Sequence, residues 1–341
     1  MKSKTSRFSL RVISLSLASF ILGAIVSYWT SEFFSLEMFS DTQKISEHEY
    51  AYQNMDPVNE KVEDTMTASI TFAGDAMFDR HIRMIAQKNG YDSLLNDSLG
   101  IFSQSDMTII NLEGPITTNV SRSLGSAIGS RDNYYFTFSP EILPFLKKNT
   151  MSLLHLGNNH IFNFGEEGLQ ETQKFLKDSD LGYFGSLSPS LEGSIYRKQM
   201  QGVSFSFISY NQFSSVSSAH IAEYIQKEQQ QSDFVVVYTH WGEEYKTISN
   251  QKQRDIAHTF IDSGADVIIG SHPHVIQEKE IYKGKTIYYS LGNFIFDQYF
   301  SEQTKKGLIV RVLFDKKNNT ISFEEFSVSM NVSGVSTIGD T

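Results

Sequence analysis

Asp266-Val267-Ile268-Ile269-Gly270-Ser271-His272-Pro273-His274 is the stretch that decides the fold. Three β-branched residues run without alternation into a Gly-rich, imidazole-bearing turn. An apolar run of that length reads as a strand buried on both faces. Four other stretches repeat the pattern. Ser69-Ile70-Thr71-Phe72-Ala73 leads into Gly74-Asp75, and Met107-Thr108-Ile109-Ile110 into Asn111-Leu112-Glu113-Gly114. Ser152-Leu153-Leu154-His155-Leu156 leads into Gly157-Asn158-Asn159-His160, and Phe234-Val235-Val236-Val237-Tyr238 into Thr239-His240-Trp241-Gly242.

Helical spacing separates these runs. Pro140 to Lys148 reads as a short helix, and Glu166 to Leu176 as another with Leu169, Phe175 and Leu176 apolar. Asn250 to Ser263 sets Ile256, Ala257, Phe260 and Ile261 on one stripe, with Gly264 as the stop. Strands alternating with helices give an α/β fold. Thr286–Leu291, Gly307–Phe314 and Thr320–Val328 read as antiparallel strands, the last two joined by a turn at Lys316-Lys317-Asn318-Asn319. One domain over 67–330 is expected, with 331–341 as a C-terminal tail.

In open α/β sheets ligands bind beyond the carboxyl ends of the strands. Asp75, Glu113, Asn159, His160, His240, His272 and His274 all follow apolar runs, so they are expected to converge. Carboxylate, amide oxygen and imidazole together suit Zn, Mn or Fe rather than Ca or Mg alone. Residues i and i+2 of an extended segment face the same way, so His272 and His274 are expected to serve two neighbouring ions. Two such ions clamp a phosphoryl group and acidify a shared water, with His160 as general acid. Singly, each residue has an ordinary reading: an Asp after a strand caps or turns, and His155 and His258 read as a strand residue and a helix-surface residue. Recurrence at five strand ends outweighs five independent turns.

The chain of 341 residues has a net charge of -10 and no cysteine. The acidity argues against nucleic acid as a partner, because phosphate backbones need clustered Lys and Arg. The missing thiols exclude disulfides, Fe–S clusters and a cysteine nucleophile. At the N-terminus Lys2, Lys4, Arg7 and Arg11 precede an uncharged run from Val12 to Ser31. About 20 such residues span a bilayer core, and Tyr28 and Trp29 suit its far interface. The one-sided basic residues put 1–11 in the cytoplasm, 12–31 in the cell membrane as a single pass, and the main domain outside. A cleaved signal peptide fits less well: the run is long, and Ser27-Tyr28-Trp29 lacks a small-x-small site. Residues 32–66, polar and without apolar period, read as a stalk.

The ordered motifs resemble the CapA/PgsA family of poly-γ-glutamate capsule synthesis proteins. They are Gly74-Asp75-Ala76-Met77-Phe78-Asp79-Arg80, Asn111-Leu112-Glu113-Gly114-Pro115, Asn158-Asn159-His160 with Gly165 and Gly168, and His240-Trp241-Gly242-Glu243-Glu244-Tyr245. Gly270-Ser271-His272-Pro273-His274 and Tyr289-Ser290-Leu291-Gly292-Asn293-Phe294-Ile295-Phe296-Asp297 complete the set over roughly 68–300. The resemblance implies a calcineurin-like metallophosphatase α/β sandwich with two divalent ions. It implies Asp75, Glu113, Asn159, His240, His272 and His274 as ligands and His160 as the substrate-facing histidine. Arg80 is then either an anion holder or half of a surface salt bridge. Asn111, Asn158, Glu244, Asn293 and Asp297 would support the ligands or rim the site. The implied partners are an anionic polymer such as poly-γ-glutamate, a polymer ligase and small membrane subunits. Three positions depart from the general phosphatase pattern: Met77 stands where it has a histidine ligand, Glu113 where it has the bridging Asp, and Ile161 where it has the acid that orients the substrate-facing histidine.

Overall fold

The computed structural model describes residues 66–97, 100–185 and 193–340. The expected cytoplasmic tail, anchor and all of the stalk but Met66 lie outside these residues. Among the described residues no helix is long and apolar enough to cross a membrane.

The described residues form fifteen strands, in chain order: β1 (Thr67–Ala76), β2 (Leu95–Asn96), β3 (Met107–Leu112), β4 (Leu153–His155), β5 (Gly182–Phe184), β6 (Ile195–Met200), β7 (Val203–Asn211), β8 (Phe234–His240), β9 (Val267–Ser271), β10 (Lys279–Tyr282), β11 (Lys285–Tyr288), β12 (Asn293–Ile295), β13 (Lys306–Asp315), β14 (Thr320–Met330) and β15 (Ser336–Asp340). Five α-helices accompany them among the described residues: α1 (Arg80–Asn89), α2 (Leu143–Lys148), α3 (Gly165–Asp178), α4 (Ser218–Glu228) and α5 (Gln251–Asp262).

Two sheets result. The nine-stranded one runs β2-β15-β14-β13-β1-β3-β4-β5, with β12 also pairing β1. The six-stranded one runs β10-β11-β9-β8-β7-β6. β1, β3, β4, β8 and β9, all paired in parallel, sit at the five apolar runs, whereas β7, parallel to β8, interleaves Ser204, Ser206 and Ser209 with its apolar residues. β8 shows why the runs are unbroken. Val236 and Tyr238 face the core between the sheets, alongside Phe72, Ile109, Phe207 and Val310. Val235 and Val237 face outward beneath Ile221, Ile225, Ile256 and Phe260 of α4 and α5. The outer face of the larger sheet is covered likewise by Ile82, Leu146, Leu169 and Leu176. A strand with helices on one face and a second sheet on the other needs apolar residues at every position.

The three expected helices form. Pro140–Ile142 is a 3₁₀ turn leading into α2. α5 starts at a capping box in which the Asn250 side chain accepts from Gln253 N–H and the Gln253 side chain from Asn250 N–H. The β13–β14 hairpin also forms, with Asp315 opposite Thr320. Two readings are corrected. β11 pairs parallel to β9 and antiparallel only to β10, because the chain crosses over through β10 first. The stretch read as a tail contains β15, which pairs along β14 and then β2. Its sequence Ser336-Thr337-Ile338-Gly339-Asp340 has a single large apolar residue, Ile338, so it gave no strand signal.

Candidate metal centre

Asp75, Asn111, His155, His240 and Ser271 occupy the last positions of β1, β3, β4, β8 and β9 or the positions beside them. The two sheets present these ends at one edge. Gly74 makes the approach of β1 to the β12 lead-in feasible: a Cβ there would lie 1.9 Å from the Gly292 carbonyl oxygen. Asp75 N–H donates to that same oxygen at 3.0 Å.

Two sets of side chains gather ligand-type atoms, each set within 4.8 Å: Asp75, Glu113 and His240, and Glu244, His272 and His274. His274 joins the sets, with Nδ1 3.3 Å from Asp75 Oδ2 and Nε2 3.5 Å from Glu113 Oε1. Asn159 Oδ1 lies 2.8 Å from His240 Nε2. His160 Nε2 lies 3.9 Å from Glu113 Oε1, and Asn158 Oδ1 accepts the His160 backbone N–H at 3.1 Å. Asn293 Oδ1 contacts His274 Nδ1 at 3.0 Å. Asn111 Nδ2 donates to Asp75 Oδ1 at 2.8 Å and Glu113 Oε2 at 3.3 Å.

The expected extended His-x-His pair is not extended. His272 has φ +97° and His274 φ +58°, both in the left-handed region. Such strain in non-glycine residues persists only where neighbours over-determine it. The His272 N–H donates to Asp75 Oδ2 and Tyr245 N–H to the Pro273 carbonyl, which pin the turn.

Arg80 and Asp297 stand apart from both sets. They form a partly buried ion pair, and the Asp297 carboxylate also accepts the His81 N–H at 3.1 Å. Arg80 is thus ion-paired, but in a nearly buried place rather than at the surface. The guanidinium lies 5.0 Å over the Phe136 ring, which packs 4.4 Å from the His160 ring. Arg80 and Asp297 line a cleft of about 660 Å³ together with Asn133, Tyr134, Tyr245 and Phe300.

The electrostatics favour a cation. Burial pushes the Glu113 carboxyl well up. Burial opposes Asp75 in the same way, but the hydrogen bond and charge of His274 hold it below 3.8. Burial lowers His240 well below 6.5, takes His160 to about 3 and His272 to about 4. His274 is opposed by burial yet raised to about 9 by Glu113 and Asp75. His240 and His272 are thus held neutral and Asp75 ionised, the states a metal requires, whereas a cation bound here would have to displace the protons that Glu113 and His274 hold. Ser271 gives its proton to the Thr239 carbonyl at 2.8 Å, so it accepts from His240 Nδ1 at 3.1 Å. That leaves a lone pair on His240 Nε2 facing the Asn159 oxygen. Glu113 Oε1 and His272 Nδ1 are buried without a hydrogen-bond partner. These residues fit a divalent cation. Met77 does not join them: its sulfur accepts from Asp79 N–H at 3.0 Å within the core.

Residues 69–298 match the family described as bacterial capsule synthesis protein PGA_cap. The chain belongs to that family. The match takes in every residue of the centre and the Arg80–Asp297 pair. Within the PGA_cap family, the chain is 30% identical over 279 residues to the PGA biosynthesis protein CapA of Bacillus subtilis (strain 168), covering 77% of this chain and 71% of that one. It is 29% identical to the capsule biosynthesis protein CapA of Bacillus anthracis, covering 74% of this chain and 65% of that one. In fold, this PGA_cap member is similar to a novel phosphatase from Mycoplasma pneumoniae, with 14% identity, a TM-score of 0.51, and 80% and 95% of the two chains covered.

His155, set down from the sequence as an ordinary strand residue, belongs to the network under the centre. It contacts Asn111 Oδ1 at 3.2 Å and Ser209 Oγ at 2.8 Å. A histidine inside an apolar run carries no periodic signal, so only pairing of β4 with β3 reveals the contact.

Proposed function

We propose that this protein acts in the synthesis or export of capsular poly-γ-glutamate or a related anionic polymer, as a membrane-anchored subunit with a hydrolytic metal centre outside the membrane. The observation that carries the hydrolytic part is the convergence of Asp75, Glu113 and His240 with Glu244, His272 and His274 at one sheet edge. The polymer part rests on the family and on the names its Bacillus relatives carry. The anchor rests on the Val12–Ser31 run and its basic flank. A calcineurin-like centre of two ions, of Mn, Zn or Fe, is the reading for the ligand set.

Asp75, Glu113, Asn159, His240, His272 and His274 would hold the ions, with Glu244 at the exposed side. Bound there, a cation pair supplies charge neutralisation for a phosphoryl or acyl oxygen and an acidified water. His160, at the edge of the centre beside Phe136, orients the leaving oxygen. With burial holding its imidazole neutral, the general-acid role read from the sequence needs a proton gained after substrate binds. The cleft beside Arg80 receives the rest of the substrate.

A second reading is a polymer-binding accessory subunit without turnover, working beside a polymer ligase and small membrane subunits. Met77 and Ile161 favour it, since both replace polar groups of the general phosphatase pattern with buried apolar ones. The test is metal content of the purified full chain, with turnover of a chromogenic phosphodiester and of poly-γ-glutamate by wild type and His160→Ala. Bound metal with turnover lost in His160→Ala supports the hydrolase. Bound metal with no turnover of either compound leaves the accessory reading standing alone.

A further inference from the structure

Asn111 sits beneath the centre with every polar atom engaged. Its carboxamide nitrogen has two protons. One goes to Asp75 Oδ1 at 2.8 Å and the other to Glu113 Oε2 at 3.3 Å. That direction leaves one oxygen, Oδ1, pointing the other way. Asn158 Nδ2 donates to it at 3.1 Å. His155 Nδ1 lies 3.2 Å from the same oxygen, so that nitrogen must carry the ring proton. His155 Nε2 is then the bare nitrogen and accepts the Ser209 hydroxyl at 2.8 Å. A flipped Asn111 would set its NH₂ against the Asn158 NH₂ and its oxygen against the Asp75 and Glu113 carboxyl oxygens. Both changes are repulsive in a fully buried site.

We infer that His155, held by Ser209, is a positioning residue that locks the Asn111 carboxamide and, through it, turns Asp75 Oδ2 and the unpartnered Glu113 Oε1 towards a divalent cation. This rests on the metal-centre reading above, but not on catalysis. His155 is fully buried, with its ring 4.6 Å from Tyr238 and 5.2 Å from Phe184. It bridges the two sheets: His155 is on β4 and Ser209 on β7. The lock therefore ties ligand orientation to the packing of one sheet on the other. Outer partners of metal ligands typically contribute 10–100-fold in affinity.

Two substitutions separate orientation from packing. His155→Asn keeps a donor near the Nδ1 position, whereas His155→Gln keeps only a group near Nε2, towards Ser209. The full chain is stripped of metal and titrated with Mn²⁺ by calorimetry, and each variant's melting temperature is read without metal. The expected result is Mn²⁺ binding within about threefold of wild type for His155→Asn and roughly 10–100-fold weaker for His155→Gln. Metal-free melting temperatures should fall alike in the two. Equal Mn²⁺ affinity in both variants, or wild-type affinity in His155→Gln, overturns the inference, as does a wild type that binds no Mn²⁺. If destabilisation prevents titration of either, Asn111→Leu tests the same lock and should weaken Mn²⁺ by a similar factor. Wild type that binds Mn²⁺ without turnover defeats the hydrolase reading and leaves this one intact.

Discussion

The backbone N–H of His272 donates to Asp75 Oδ2 at 3.1 Å, across 197 positions of chain. It joins the end of β1 in one sheet to the turn after β9 in the other. Asp75 therefore does two things: it offers one carboxylate to the centre, and it holds the left-handed His272 in place. Asp75→Asn keeps the size and one acceptor oxygen but removes the charge. Divalent-ion affinity should fall by more than the roughly 10–100-fold that outer partners contribute. Calorimetric titration of wild type and variant checks this; an unchanged affinity would take Asp75 out of the ligand set.

Arg80 and Asp297 pair with side chains only 12% and 9% exposed. Removing one partner of a pair this buried strands the other charge, at about 3 kcal/mol. Arg80→Met and Asp297→Asn should each lower unfolding stability by about that much in urea titrations. The double variant should recover most of the loss, because no charge is left unpaired. Additive losses would show that Arg80 owes its position to the Phe136 and Phe296 rings instead.

Glu228 gives a pH signature away from the centre. Burial pushes its carboxyl up, but hydrogen bonds from Arg197 and Ser206 and the Arg197 charge bring it below 4.5. A lowered folded-state value means the unfolded chain takes up the proton first. The stabilisation is thus present above pH 4.5 and is lost as pH falls through the folded value. Arg197 is 55% exposed, so solvent screens the pair and the loss is about 1 kcal/mol. Glu228→Gln should flatten stability across that acid range while costing a similar amount at pH 7. Parallel pH–stability curves for wild type and variant would contradict this.

The fold and most of the centre were legible because strand ends leave a local mark. Asp75, His240 and His272 each follow an apolar run that must be buried on both faces, and the sandwich supplies both faces. What escaped depended on contacts between distant strands. His155 sits inside its run, so nothing local separates it from a packing residue; its partners Asn111 and Ser209 are 44 and 54 positions away. The backbone of the His-x-His turn escaped for the same reason. An extended pair was the local expectation, and hydrogen bonds from His272 N–H to Asp75 and from Tyr245 N–H to Pro273 impose the left-handed one. The parallel pairing of β11 was likewise hidden, since a short strand reads the same in either direction.

Gly74 links fold and centre in one atom. A Cβ there would sit 1.9 Å from the Gly292 oxygen and 3.0 Å from the Gly292 carbonyl carbon. Both are backbone atoms, and that oxygen is already the acceptor for Asp75 N–H. Neither side can yield cheaply: β1 is held by β13 and β3, and the 291–293 segment by bonds to β9 and β13. Gly74→Ala should therefore push β1 and the Gly292 turn apart, at about 3 kcal/mol or more. Asp75 is the next residue, so the same shift moves a carboxylate of the centre. Urea unfolding and Mn²⁺ titration should fail together in this variant. Gly90→Ala is the control: that glycine has φ +84° with nothing within 4 Å, so backbone strain of about 1–3 kcal/mol is expected there without a clash, with metal affinity unchanged. A Gly74→Ala protein of wild-type stability would show that the strand and the turn are not held as closely as their hydrogen bond implies.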